Sequence, residues 1–448
     1  MIFCSWAGGC ATIPGAGRSL SFDVKGFGAT GDGQTPDTIA FQHAIEAARQ
    51  AGGATVLVPA GSYLVAPLDL CSNLTLQLAP GAYVRLIDDQ KLYPLIDTRY
   101  DGLMQPARRA GLSADGCNNI AISGTGIIDG LGGVWWSQVR TPARTASTQP
   151  SADPMSHRPP IVQLRNCRNV RVDGVRFTNA PRASVHVLFS EQVVIRNAKF
   201  DAPEGSDTLG VEIDSSRAVR IEQCSFAMGA RGVSIEAGRR DYSPRAPQAS
   251  ENITVRECRF TQSVGVSVGL NIAGGVSDVR ILTSSFTDGD SGVQIQSAPD
   301  RNGVIERIRL TDLQMNRVAR PFVISLQGKS IAETIDASGV PVIRDVQVSR
   351  FAAKDASRAG IIEGLESSPI RLLRFEQMNL SANYGISCSR AADLTFNYVQ
   401  IATDFGPAIL RTDTSNLQID NWIEATRSAT PAVETVPTTQ STGTTLPG

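Results

Sequence analysis

Short stretches in which apolar and polar residues alternate recur along the chain at a nearly constant spacing. Four copies of one pattern begin with glycine and carry two branched apolar residues two positions apart, at 210–214, 232–236, 265–269 and 292–296. A phenylalanine precedes each copy, and these four phenylalanines are 26, 34 and 26 residues apart: Phe200, Phe226, Phe260 and Phe286. Alternate residues of a strand point to opposite faces, and a repeat of this length with strands but no helical pattern is typical of a β-solenoid. The pattern predicts an all-β, single-stranded parallel β-helix with one coil per repeat.

A helical pattern stands ahead of the first coils, over residues 38–50. Its apolar side would consist of Ile39, Phe41, Ala44, Ile45 and Ala48. Asp37 or Thr38 can cap the start of this helix. Because a solenoid exposes its apolar interior at each end, we expect the helix to cap the N-terminal end.

The β-helix is expected to span residues 20–424. Residues 1–19 contain a poor lipobox and no proper signal sequence, so we interpret them as a possible signal or lipoprotein remnant. Residues 425–448 are rich in Thr, Ser and Pro with almost no large apolar residue, which predicts a disordered tail. The matching expectation for localisation is a secreted, periplasmic or cell-envelope protein.

Charge and cysteine content narrow the possible partners. The 448 residues carry a formal net charge of −1 and no basic run, which argues against nucleic-acid binding. No apolar run approaches the roughly 20 residues of a membrane span. The repeat register places most of the eight cysteines at small buried positions rather than in disulfides, in a ladder that later coils continue with serine: Cys71, Cys117, Cys167, Ser190, Ser216 and Ser250. We expect a monomer with no metal and no cofactor.

Two stretches interrupt the repeat, at 88–116 and 141–157. Long insertions in a solenoid collect on one side and often wall a binding groove. Trp135 and Trp136 directly precede the second insertion. They are either packed beneath a loop or form a platform on which a sugar ring stacks.

Three stretches carry a resemblance to a known family. They are residues 22–63, residues 124–130 (GTGIIDG), and the run from Arg158-Pro159 to Asn179-Ala180-Pro181. In order and spacing they resemble the polygalacturonases of glycoside hydrolase family 28, over roughly residues 20–330. The resemblance implies a right-handed parallel β-helix of the pectin-lyase type, with a substrate groove along one sheet. It also implies inverting hydrolysis of pectic polysaccharides.

The motifs that hold the family's catalytic residues are replaced in this chain. The family carries Asn-Thr-Asp-Gly, Gly-Asp-Asp, Gly-His-Gly and Arg-Ile-Lys in successive coils. The matching residues here are Asp207-Thr208-Leu209-Gly210, Gly229-Ala230-Arg231, Ser263-Val264-Gly265 and Gln294-Ile295-Gln296. Leu209, Ala230 and Val264 cannot transfer the protons that hydrolysis requires, and two glutamines cannot form an ion pair with a uronate. We therefore expect no ordinary polygalacturonase activity.

Other charged residues share the predicted groove face. The register places Glu212 beside His186, and makes Asp214 and Glu236 stacked neighbours of like charge, one of which should have a raised pKa. Glu212 and Glu236 would lie on the order of 8 Å apart at the backbone, which suits an inverting pair. The candidate catalytic residues are Glu212, Asp214 and Glu236. The candidate substrate-binding residues are His186, Arg231, Gln294, Gln296 and Asp207.

Three functions stay open at this point. The first is a glycoside hydrolase with relocated carboxylates, acting on a polysaccharide other than homogalacturonan. The second is a polysaccharide-binding pseudoenzyme, since outward acids on a sheet are usually solvated and do no chemistry. The third is a polysaccharide lyase in which Arg231 or His186 is the base. A fold alone does not choose among them.

Overall fold

A computed structural model describes residues 20–140, 157–239, 248–328 and 339–427. Short strands from successive coils pair in parallel and form three sheets along one axis. The expected right-handed parallel β-helix is confirmed. The predicted N-terminal remnant at 1–19 and the predicted tail lie outside the described residues, apart from the end of the last strand at Thr426.

The groove sheet contains the four copies of the repeated pattern. Its strands are Leu68–Asp69, Leu112–Asp115, Val162–Arg165, Ala183–Leu188, Leu209–Asp214, Arg231–Glu236, Val264–Leu270, Ser291–Ser297 and Arg320–Ser325.

The second and third sheets complete each coil. The strands of the second sheet are Ser21–Asp23, Ala54–Val58, Leu74–Leu78, Asn118–Gly124, Arg168–Asp173, Glu191–Arg196, Arg217–Glu222 and Ser250–Arg256. Those of the third sheet are Asp32–Pro36, Gly61–Val65, Ala82–Leu86, Ile127–Asp129, Arg176–Thr178, Lys199–Ala202, Ser225–Met228 and Arg259–Thr261. Later coils run through longer strands, Val276–Thr287, Val304–Asn316, Val342–Glu363 and Ile370–Thr426.

Identical side chains stack inside the coils. The four predicted phenylalanines are buried and stacked, and Phe177 extends their ladder by one coil, with ring centroids 4.7 to 5.3 Å apart. The predicted thiol and hydroxyl ladder also forms, because Ser190 Oγ accepts a hydrogen bond from the Cys167 backbone N–H at 2.9 Å. The cysteines of this ladder are free thiols. The interior therefore follows the repeat register.

The capping helix spans Thr38–Gln50 and covers the N-terminal end, with Phe41, Ala44, Ile45 and Ala48 buried. Ile39 was expected on the apolar side but is 71 % exposed. The side chain of Asp37 does not cap the helix, because its carboxylate accepts hydrogen bonds from the Thr30 backbone N–H and hydroxyl instead. A second helix spans Gly133–Arg140. Two short 3-10 helices lie at Val24–Phe27 and Gln90–Leu92.

The first insertion contains an antiparallel hairpin, formed by strands Leu95–Tyr100 and Leu103–Arg108. Asp101 and Gly102 form its two-residue turn, both with positive φ, as the tight turns of β-hairpins require. The second insertion, at 141–157, lies outside the described residues except for His157, which stacks on Tyr100 of the hairpin.

Trp135 and Trp136 are anchored to the protein. Trp135 is buried edge-on against Tyr93, with Arg108 over its ring. Trp136 is half-buried, and its indole N–H donates to the Ala180 carbonyl at 3.1 Å. For Trp135 this is the packed arrangement rather than a free stacking platform.

Candidate active site on the groove sheet

The groove sheet brings the three candidate acids to one patch. Glu212 pairs with His186 of the preceding strand and with Ser234 of the next, and Asp214 pairs with Glu236. This is the predicted register. The inward neighbours of these residues are branched apolar side chains such as Val211 and Ile213, which pack in the core and fix the strand's orientation.

Glu212 is held in a buried ion pair. Arg182 Nη1 donates to Glu212 Oε2 at 2.5 Å and Nη2 donates to Oε1 at 3.0 Å, a bidentate arrangement. Burial acts to raise the pKa of Glu212. The positive charge of Arg182, with smaller contributions from His186 and Arg231, outweighs burial and lowers that pKa below its usual value. Glu212 is therefore an ionised carboxylate.

Glu236 is held in the opposite state. Burial, with the nearby charges of Glu212 and Asp214, raises the pKa of Glu236 to about 8. Asn271 Nδ2 donates to Glu236 Oε2 at 2.6 Å, and Ser234 Oγ lies 3.1 Å from Oε1. Both carboxyl oxygens of Glu236 accept hydrogen bonds, one from the Asn271 amide and one from the Ser234 hydroxyl. A pKa of about 8 favours the carboxylic acid form of this side chain at neutral pH.

Asp214 is a buried acid whose pKa is subject to two opposing influences. Burial raises the pKa of Asp214 above its usual value, while the charge of Arg99 opposes the shift. Arg99 Nε lies 3.9 Å from Asp214 Oδ2, and the Ser215 hydroxyl donates to Oδ1 at 2.8 Å. The pKa values of both acids are raised, with burial as the first cause in each, and the charge of Asp214 adds to the shift of Glu236.

His186 and Arg231 lie beside the acids. His186 is buried, which lowers the pKa of its imidazole. Its Nδ1 lies 3.1 Å from Gln163 Nε2, and its Nε2 has no hydrogen-bond partner among the described residues. The buried Nε of Arg231 likewise has no partner in that part of the chain. The charge of Arg231 acts on the pKa values of Glu212 and Glu236.

The other candidate binding residues lie apart from this patch. Gln294 is nearly buried and donates to the Ser291 hydroxyl at 3.0 Å. Gln296 is half-buried, and Asp207 is exposed in a left-handed turn conformation. Within the described residues, no hydrogen bond or ion pair joins Gln294, Gln296 or Asp207 to the three acids.

The hairpin covers the acids that we expected to face an open groove. Glu212, Asp214 and Glu236 are only 3, 1 and 5 % exposed. The hairpin lies on the patch through Arg99, which approaches Asp214 and the Phe189 ring, and through Asp101, which pairs with Arg182. Long insertions can wall a groove, but this one lies across its floor.

Two glycines allow this close approach. A Cβ at Gly102 would lie 2.7 Å from side-chain carbons of Arg239 and Asn271, and a Cβ at Gly238 would collide with the guanidinium of Arg99. The Gly102 carbonyl accepts hydrogen bonds from the Arg239 backbone N–H and from Arg99 Nη1. A side chain at either glycine would therefore push the hairpin tip away from the strand ends beneath it.

Comparison with known proteins decides the family. A family model described as glycosyl hydrolases family 28 matches residues 54–401. The chain belongs to this family. A second model, described as rhamnogalacturonase A/epimerase, pectate lyase-like, matches residues 21–86.

Relatives and solved structures of family 28 members agree with this assignment. A probable polygalacturonase of Vitis vinifera is 28% identical over 365 residues, which cover 79% of this chain and 72% of the relative. The exopolygalacturonase of Thermotoga maritima has a TM-score of 0.75 and 25% identity, covering 91% of this chain and 92% of that one. The family 28 exopolygalacturonase of Yersinia enterocolitica has a TM-score of 0.80 at 19% identity, covering 89% and 78% of the two chains.

Residues that replace three of the family's catalytic motifs lie next to one another on the groove sheet. Leu209, Arg231 and Val264 pair across three successive strands, next to the acid patch. Leu209 is buried and Arg231 is partly exposed. Apolar side chains at two of these three positions leave no acid–base pair in this column.

Sequence reasoning missed the residues that the hairpin and the neighbouring coils supply. Arg182 and Asn271 contact the acids directly, and Arg99 and Asp101 do so from the hairpin or through Arg182. A signal was present, because Asp101-Gly102 between alternating residues is a strong hairpin pattern. Arg182 directly follows the Asn179-Ala180-Pro181 motif that carried the family resemblance.

The described residues contain neither a metal-ligand cluster nor a membrane-spanning helix. None of their groups of histidine, cysteine, aspartate and glutamate side chains could hold a metal ion. None of their helices is long and apolar enough to cross a membrane.

Proposed function

We propose that this family 28 glycoside hydrolase cleaves a pectin-type polysaccharide through Glu212, Asp214 and Glu236 rather than through the positions that Leu209, Ala230 and Val264 occupy. Family membership supports glycosidic hydrolysis. The names of its relatives, which are polygalacturonases of plants and bacteria, support a pectic substrate. Such a substrate also favours a location outside the cytoplasm, whether secreted, periplasmic or on the cell envelope.

The proposal is carried by two buried carboxyl groups on adjacent strands, whose surroundings shift their pKa values in opposite directions. A general acid must hold its proton at the working pH, and a general base must be ionised. Burial beside other acids raises the pKa of Glu236 to about 8, while Arg182 lowers the pKa of Glu212. Pairs of carboxyl groups whose surroundings separate their pKa values are a common sign of acid and base roles.

The roles follow from these states. Glu236 donates its proton to the glycosidic oxygen of the leaving sugar. Glu212 accepts a proton from the attacking water, and its ion pair with Arg182 keeps it ionised until then. Asp214 adds negative charge that favours the protonated form of Glu236. Because all three acids are buried, the hairpin must move before a sugar can reach them.

The substrate is proposed to differ from plain homogalacturonan. Gln294 and Gln296 replace the cationic residues of the family's Arg-Ile-Lys motif, and neither glutamine reaches the acid patch. A polymer that carries other sugars or side chains would make its contacts elsewhere along the groove. Cleavage of unbranched polygalacturonate at an ordinary enzyme's rate would contradict this part of the proposal.

The test is a panel of pectic polymers, including polygalacturonate, xylogalacturonan and rhamnogalacturonan. Reducing ends and product masses report hydrolysis, and ultraviolet absorbance of an unsaturated sugar reports a lyase. On the cleaved polymer, Glu236→Gln and Glu212→Gln should each lower turnover about 10²- to 10⁴-fold, as the loss of an acid or base typically does. Glu376→Gln, which changes an exposed acid on a distant coil, is the matched control.

A binding protein is the second candidate, and one observation favours it. The three acids are sealed beneath the hairpin by ion pairs, as in a purely structural charge network. In that case no polymer of the panel is cleaved, but an oligosaccharide binds the groove. Restoring Leu209→Asp alone would not create activity, since the partner residues are also replaced.

A further inference from the structure

The guanidinium of Arg182 is shared by two carboxylates with different surroundings. Its Nη2 donates to Glu212 Oε1 and to Asp101 Oδ1, both at 3.0 Å. The Glu212 side chain is 4 % exposed, whereas that of Asp101 is 67 % exposed. Glu212 is a fixed partner of Arg182 in the sheet. Asp101 reaches the same cation from the solvent side, at the tip of the hairpin.

The charges around Arg182 favour an anion at the position of Asp101. Arg99, Arg182 and Arg231 act on the pKa values of the acids in the patch. Arg182 is paired with Glu212 in the sheet and with Asp101 at the hairpin tip. Without Asp101, the Arg182 guanidinium loses the ion pair on its solvent side. A partly buried cation without a counter-charge attracts a carboxylate.

The contact made by Asp101 is one that another carboxylate could replace. The Asp101 carboxylate is 67 % exposed and is well solvated when it leaves Arg182, so this contact holds Asp101 only weakly. The ring of Tyr100 lies 4.5 Å from the Arg182 guanidinium carbon and closes one side of the site. The remaining solvent side is the one from which Asp101 enters. A sugar carboxylate arriving along the groove would approach from that side.

We propose that Arg182 forms a uronate-binding site, and that Asp101 occupies this site in the free protein as a substitute for the substrate's carboxylate. A uronate residue displaces Asp101, and the hairpin tip lifts from the acid patch as it does so. The cation that recognises the uronate thus lies on the strand Ala183–Leu188 side of the patch instead of at Gln294 and Gln296. The inference rests on the proposed function in one respect, namely that the substrate is a pectic polymer.

The test compares a galacturonate trimer with its methyl ester, in which the carboxylate charges are removed. Calorimetry should show that the acid binds the full-length protein about ten-fold or more tightly than the ester, because only the acid forms charge-assisted bonds with Arg182. Asp101→Asn removes the competing charge and should strengthen binding of the acid about two- to five-fold, with no change for the ester. Asp97→Asn removes an equal charge from an exposed hairpin position away from Arg182, and should change neither affinity.

A second variant tests Arg182 without leaving Glu212 as a buried, unpaired charge. Arg182→Gln/Glu212→Gln replaces the buried ion pair by two uncharged side chains and should abolish the preference for the acid. Hydrogen exchange gives an independent measure of the hairpin: amides of residues 98–103 should exchange faster with the acid trimer bound, and at an unchanged rate with the ester.

Equal binding of acid and ester, or an acid affinity that Asp101→Asn leaves unchanged or weakens, overturns the inference. These outcomes are distinct from failure of the proposed function. If a pectic polymer is cleaved while the two trimers bind equally, the uronate site is wrong and the hydrolase proposal stands. If the trimers behave as expected while no polymer is cleaved, the hydrolase proposal is wrong and the uronate site stands.

Discussion

On the inner face of the groove sheet similar residues repeat from coil to coil, whereas on its outer face they do not. On the inner face, Val211 and Ile213 continue into Val233 and Ile235 of the next coil, and all four are fully buried. On the outer face of the same strands, Glu212 is followed by Ser234, and Asp214 by Glu236. The inner face repeats because every coil meets the same neighbours above and below. The outer face changes from coil to coil, because the hairpin covers only some of its strands.

This difference predicts two ways in which substitutions act on one sheet. Interior substitutions should act on unfolding through lost packing and leave the charge patch unchanged. Outer substitutions should act on the hairpin and on turnover, and on unfolding only through the buried charges of the patch. The predictions below test this division, from the largest expected effect to the smallest.

Removing one ring from the phenylalanine ladder should have the largest effect on stability. Phe226 stacks between Phe200 and Phe260, with centroids 4.7 and 4.9 Å away. Phe226→Ala should destabilise the protein by about 3–5 kcal/mol through lost burial and a cavity. Phe226→Leu, measured by the same chemical denaturation, should cost less. If the alanine variant melts like the wild type, the ladder does not support the fold.

Breaking the buried ion pair should lower the free energy of unfolding by a similar amount, for a different reason. Glu212→Leu leaves the Arg182 charge without its buried partner, which typically costs about 3–5 kcal/mol. The double variant Arg182→Met/Glu212→Leu removes both charges and should recover most of that loss. A double variant that is less stable than Glu212→Leu would show that the pair itself, rather than the stranded charge, determines the cost.

The protonated state of Glu236 should appear in the dependence of stability on pH. The folded protein keeps the proton of Glu236 up to about pH 8, whereas the unfolded chain releases it near pH 4.5. The stabilisation by this proton is complete below pH 4.5 and is lost as the pH rises through 8. Between pH 5 and 8 the wild type should therefore lose more stability than Glu236→Gln, by an amount on the order of a few kcal/mol. Parallel curves would show that Glu236 is ionised in the folded state.

The hydroxyl ladder should show the smallest effect. Ser216 Oγ accepts a hydrogen bond from the buried Ser190 backbone N–H at 3.0 Å. Ser216→Ala leaves that N–H without its partner and should cost about 1–3 kcal/mol. Ser216→Cys reproduces the residue that Cys167 supplies earlier in the same ladder and should cost less. A Ser216→Ala variant as stable as the wild type would mean that the side-chain acceptor contributes nothing.

The sequence predicts the packing of the inner face well, because equivalent positions of successive repeats stack on one another. Once Phe200 and Phe226 share a register, their stacking follows, and so does the pairing of Glu212 with His186. The hairpin is different, because nothing in a repeat specifies where an insertion folds. Asp101-Gly102 predicts a turn, but only the tertiary structure places that turn over Arg182. The burial of the acids, and hence their pKa values, could not be predicted without it.

Turnover of a pectic polymer by the wild type and by Glu236→Gln tests the central claim most directly. The glutamine side chain can keep the contacts with Asn271 and Ser234, so the variant should fold and melt normally. If the relocated acids do the chemistry, the wild type releases reducing ends from at least one polymer of the panel, and Glu236→Gln is slower by about 10²- to 10⁴-fold. Equal turnover by the two proteins, or no cleavage of any polymer by the wild type, would contradict the claim.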